Sequence, residues 1–178
     1  MNALATILVG LTLWLGQIQP TAANPQAGKI DGARSTITVR VYKSGFLSAF
    51  GHDHEIQAPI ESGEVKGADS PSVELRAAAH KLPVLDPEAS EKTRAQIQET
   101  MEGDKVLDVT RFPEIHFQSA SVEAKGSDHW IVRGTLALHS KERPVTVDVT
   151  LKGGHYRGSA TLKQSDFGIT RSRSPVGP

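Results

Sequence analysis

Between Trp130 and Lys152 the chain alternates apolar and polar residues almost without a break. Trp130 to His139 carries Leu136 and Leu138 on one face, and Pro144 opens a second run in which Val145, Val147, Val149 and Leu151 face together. A period of two sends successive side chains to opposite sides of an extended backbone, so each run reads as a strand with one buried and one wet side. Ser140-Lys141-Glu142-Arg143 reads as the turn between them. Gly153-Gly154 ends the second run as a hairpin signal, because adjacent glycines accept the positive φ angles that tight hairpins need.

The same signature recurs upstream and downstream. Thr36 to Tyr42 sets Ile37, Val39 and Val41 against Thr36, Thr38, Arg40 and Tyr42. Lys43-Ser44-Gly45 breaks it; a second extended stretch runs from Phe46 to about Ile60, and Glu61 to Lys66 forms another. Ser72 to Leu82 alternates with Val73, Leu75, Ala77 and Ala79 on one face. Ile115 and Phe117 alternate with Glu114, His116 and Gln118, and Val122 and Ala124 continue toward a turn at Gly126-Ser127-Asp128. His155 to Gln164 is the last clear strand.

One segment departs from this pattern. Asp86-Pro87 reads as an N-cap followed by proline at the first helical position, with Glu88 and Glu91 in the first turns and Gly103 as the stop after Glu102. The apolar stripe is thin (Ala89, Ile97, Met101), so the helix is expected to cover a surface. Its charges, from Glu88 to Glu102, read as a solvated face in preference to a docking surface. Seven or eight strands with regular turns and one helix predict an antiparallel sandwich or barrel, and a barrel best removes exposed edges.

The apolar run Leu4 to Ile18 precedes the first charged side chain, Lys29, and Thr21-Ala22-Ala23 offers small residues for cleavage. This predicts a signal peptide over 1–23, an extended lead-in over 24–33 and one domain over 34–178. The apolar run is shorter than the ~20 residues of a membrane span. Export to the periplasm is expected, and it suits a chain without cysteine.

Composition then narrows the function. The 178 residues hold 20 acidic and 20 basic side chains, and removing 1–23 deletes none of them, so the mature surface is formally neutral. Nucleic-acid binding, which needs a basic face, is excluded as a partner class. Zero cysteine excludes disulfide scaffolds, thiol nucleophiles and iron–sulfur clusters. Esterase elbows, phosphate-binding glycine loops, nucleotide fingerprints and His-Glu-x-x-His are all absent, so no catalytic residue and no cofactor is assigned. His52 and His54, two apart on one strand, share a face with Phe50 and Ile56 and could both reach one metal ion. Zinc asks for three or four ligands and a third is hard to find in the sequence, so the two histidines read as polar groups at a barrel mouth in preference to a metal site.

The order of segments resembles the YceI-like family of exported bacterial proteins. The matching pieces are Arg34 to Val41, Leu47 to His54, the helical segment 86–101, Leu107-Asp108, Arg111-Phe112-Pro113-Glu114-Ile115-His116-Phe117, Arg133 to His139, Arg143-Pro144-Val145 and Ser165-Asp166-Phe167-Gly168-Ile169. The resemblance implies an antiparallel lipocalin-like β-barrel of about eight strands with one covering α-helix, holding a long isoprenoid or fatty lipid. It also implies a closing strand after Ile169; residues 170–178, with two prolines and one β-branched apolar residue, are poorly suited to supply it.

On that basis the apolar lining is expected from Ile37, Val39, Phe46, Phe50, Ile56, Leu75, Ile97, Met101, Leu107, Ile115, Phe117, Leu136 and Leu138, with His52 and His54 at the ligand's polar end. Slim aliphatic walls with few rings suit a thin chain-like ligand, although the same residues would equally fill a solid core. The expected partners are an apolar lipid and, in passing, a membrane surface; a monomer and a homodimer are both compatible with the sequence. The other reading is a histidine-based metal protein or metal-dependent enzyme using His52 and His54.

Overall fold

The computed structural model describes residues 25, 27–42, 53–67 and 70–169. In chain order they form β1 (Gly28–Lys29), β2 (Thr36–Val41), β3 (His54–Pro59), β4 (Ser62–Lys66), β5 (Ser72–Ala78), α1 (Glu91–Glu102), β6 (Glu114–Ala124), β7 (His129–Leu138), β8 (Lys141–Lys152) and β9 (His155–Ser159). Seven strands make one curled antiparallel sheet in the order β1-β4-β5-β6-β7-β8-β9, a half-barrel, and β2 pairs with β3 as a separate two-stranded ribbon. The predicted class, an antiparallel barrel-like sheet with one covering helix, is the observed one.

Register follows the hydrophobic alternation. Leu75 stands opposite Phe117, Phe117 opposite Leu136, Val132 opposite Val147 and Trp130 opposite Val149, so one face collects the apolar residues of four neighbouring strands. The hairpin expected at Gly153-Gly154 forms, with φ of 59° and 78°. Between Ser119 and Ser121 the β6–β7 pairing shifts by one residue. This bulge keeps Val122 and Ala124 on the same side as Ile115 and Phe117, although Val122 lies five positions, an odd step, after Phe117.

Four local readings are corrected. The turn expected over Ser140-Lys141-Glu142-Arg143 is confined to His139 and Ser140, and β8 already begins at Lys141, which pairs with Leu138. The helix starts at Glu91, with Ser90 as its N-cap accepting from Thr93 N at 3.1 Å; Asp86 and Pro87 lie in the approach to it. The strand from Ser72 ends at Ala78, and Ala79–Lys81 coil into a 3-10 turn whose Ala79 N–H donates to Pro113 O at 2.8 Å. The last strand ends at Ser159, and Gln164–Phe167 form a second 3-10 turn. The expected stretch 46–52 and the segment 170–178 lie outside the described residues.

Candidate functional site

The inner face of the sheet divides into two apolar regions. In the first, Ile56 and Ala58 from β3, Leu82 and Val84, Ile97 and Met101 from α1, Val106, Leu107, Phe167 and Ile169 form one buried cluster, with Ile115, Leu136 and Leu138 against it. In the second, Phe117, Val132 and Val145 are buried while Val73, Leu75, Val122, Val147 and Val149 around them are only half-buried. The first region is roofed by α1 and the ribbon. The second is a trough of valine and leucine to which neither α1 nor the ribbon contributes a residue. At its far end Trp130 is buried, its ring centroid 5.6 Å from that of half-exposed Tyr156.

The roof is fixed in place by hydrogen bonds. Residues 83–85 run antiparallel to β3: Gln57 N–H donates to Pro83 O at 3.0 Å and Leu85 N–H to Glu55 O at 2.8 Å. Gln98 of α1 accepts from Val84 N at 2.9 Å and donates to Leu82 O at 3.0 Å. The helix therefore hangs from a segment that is itself pinned to β3, and its buried Ile97 and Met101 seal the cluster beneath.

At the end of β3 the same segment supplies a buried polar pair. His54 Nδ1–H donates to Asp86 Oδ2 at 2.5 Å, with 1% and 2% of the two side chains exposed, and Asp86 Oδ1 accepts from Glu55 N at 2.8 Å. An apolar-facing strand position can hold an imidazole only if its polar atoms are satisfied, and Asp86 does this. Above the pair opens a cavity of about 390 Å³ lined by Arg40, Tyr42, Asp53, Glu55, Pro87 and Glu88 among others.

A third corner gathers the segments that carried the family resemblance. Asp108, in the left-handed region at φ 47°, accepts through its carbonyl from Arg111 N and Phe112 N at 2.9 and 2.8 Å. The Phe112 ring meets the His139 ring edge-on at 5.1 Å, and His139 Nδ1–H donates to Phe167 O at 3.1 Å. Gly168, at φ 78°, closes the turn and turns Phe167 into the first cluster.

The outer face carries charge. Arg76 on β5 bridges Glu74 at 2.7 Å and Glu114 at 2.6 Å, and His116 Nε2 lies 3.0 Å from Glu74 Oε1. Hydrogen bonds from Arg76 and then His116 hold the Glu74 carboxyl below the ordinary carboxylate range. Lys125 and Arg133 do the same for Glu123.

Of the expected lining, Ile56, Ile97, Met101 and Leu107 come together, packed against one another as sealed core. Ile115 and Leu138 lie against that core, Leu136 touches both regions, and Leu75 and Phe117 border the trough. Ile37 and Val39 remain 37% and 38% exposed on the ribbon. Phe46, Phe50 and His52 lie outside the described residues. Among the described residues no three His, Asp or Glu side chains are placed to hold a metal ion, and His54 is engaged by Asp86. The trough's own valines, Val73, Val122, Val147 and Val149, were missing from the expected lining even though their alternation is plain in the sequence.

A curled antiparallel sheet with an apolar inner face, roofed over one half by a single helix, places the chain among the small antiparallel barrel-like proteins. The chain belongs to the family of the YceI-like domain, whose model matches residues 29–177. It is 27% identical to a UPF0312 protein of Shewanella denitrificans, over 95% of this chain and 88% of the relative, and 28% identical to a UPF0312 protein of Pseudomonas aeruginosa, over 98% and 91%. Among solved structures, Burkholderia cenocepacia BcnA superposes with a TM-score of 0.56 at 18% identity, over 78% of this chain and 84% of BcnA. That likeness is one of fold.

Proposed function

We propose that this protein binds a long apolar lipid, a polyisoprenoid or fatty-acid-like chain, on the inner face of its sheet and carries it through the periplasm. One observation carries the reading: Val73, Leu75, Val122, Val147 and Val149 are half-buried around Phe117, Val132 and Val145, in an apolar cluster to which neither α1 nor the β2–β3 ribbon contributes a residue. Water against such a surface costs about 25 cal/mol per Å², and a thin aliphatic chain laid along it removes that water without needing a polar partner. Membership of the YceI-like family and the barrel-like fold are consistent with a binding role.

Trp130 supplies the test, since it is the sole tryptophan outside the predicted signal peptide. Stearate bearing a nitroxide near its methyl end should quench Trp130 fluorescence saturably, and unlabelled stearate should restore it. Quenching that rises linearly, as with free nitroxide in solution, would remove the reading.

A further inference from the structure

The trough has a definite inner end. Gly63, Leu75, Phe117 and Leu136 form one row across four strands, and the neighbouring row away from the helix runs Val65, Val73, then Ser119, Gly134 and Val145. The second row is small at its centre, and the Phe117 ring fills the gap. A Cβ on Gly134 would lie 2.7 and 2.8 Å from the Phe117 ring atoms Cζ and Cε2, and 2.4 Å from Gln118 O. The ring thus rests on the glycine backbone and leans into the trough. Beyond it lies the sealed cluster under α1, held by the Gln98 and β3 hydrogen bonds and closed to any chain advancing from the trough.

We propose that Phe117, seated on Gly134, is the stop that sets how long an apolar chain the trough accepts. The proposal rests on the lipid-binding reading above and names the residue that gives it length specificity. The free end of the chain meets the ring face, and methylenes beyond that length stay in water. Leu136, which touches both regions, backs the ring from the helix side.

The test is a series of saturated fatty acids of rising length, each displacing a fluorescent fatty acid from the full chain. For wild type, affinity should rise about fourfold with each buried methylene and then level off. Phe117→Leu should move the levelling point to longer chains. Val122→Phe, which enlarges a half-buried trough residue nearer Trp130, should move it to shorter ones. Near-ultraviolet circular dichroism establishes that each variant is folded; if Phe117→Leu is not, Val122→Phe decides alone. Folded variants that level off at the wild-type length overturn the assignment of the stop. A folded wild type that binds no member of the series overturns the lipid-binding reading itself.

Discussion

His54 and Asp86 stand 32 residues apart in sequence and 2.5 Å apart in space, and both side chains are buried. The bond joins the end of β3 to the segment that leads into α1. Asp86 serves two donors at once, the His54 ring and the Glu55 backbone. Asp86→Ala removes the acceptor that both bonds use, and losing a buried hydrogen-bond partner costs about 1–3 kcal/mol for each bond. Urea unfolding should show a loss of roughly 3 kcal/mol, and His54→Ala added to Asp86→Ala should cost much less than the sum of the two single changes. Additive losses would mean that the pair does not act as a unit.

Helix capping separates two assignments. Ser90 caps α1 and Asp86 does not, so Ser90→Ala should cost about 1 kcal/mol and lower helical ellipticity slightly. Asp86→Asn keeps an acceptor of capping type; if Asp86 were the cap it would be nearly silent, whereas loss of the charge-assisted bond to His54 makes it measurably destabilising.

Gly134 is required by the Phe117 ring. Gly134→Ala places a methyl against both the ring and Gln118 O, and overpacking of this kind costs about 1–3 kcal/mol. Phe117→Leu in the same chain should recover part of the loss. Complete recovery would contradict the geometry, because the Gln118 carbonyl contact remains.

Acid should weaken the outer face in a defined direction. Arg76 and His116 depress the Glu74 carboxyl in the folded protein, so their contribution is present above its ordinary value of 4.5 and is lost as pH falls through the lower folded value. In urea titrations wild type should exceed Glu74→Gln near neutral pH, and the two should converge well below pH 4.5. A gap that persists in acid would show that the Glu74 charge is not its source.

Much of this architecture is legible in the chain. Alternation through Leu136, Leu138, Val145, Val147 and Val149 fixes both the strands and the face they bury, and Gly153-Gly154 fixes one hairpin. Alternation does not say what lies over a face. Ile37 and Val39 share a side as expected, but the ribbon leaves that side partly open, while Ile97 and Met101, a thin stripe by sequence, are sealed. The helix start was hidden because Asp86-Pro87 has the chemistry of a cap, and its carboxylate is claimed by a histidine that sequence proximity cannot reveal. One signal was available: His54 alternates with Ile56 and Ala58 on a buried face, and a histidine there needs a partner. The bulge in β6 had its own signal, the odd spacing from Phe117 to Val122.

Mass spectrometry of the organic extract from protein expressed in its native host and purified without denaturation decides whether a lipid occupies the inner face. A co-purifying lipid with a long apolar chain should be present in comparable molar amount to the protein and reduced when Val122 and Val147 are both replaced by Asp. An extract without lipid, or one whose lipid content is unchanged in that folded double variant, would contradict binding on the inner face.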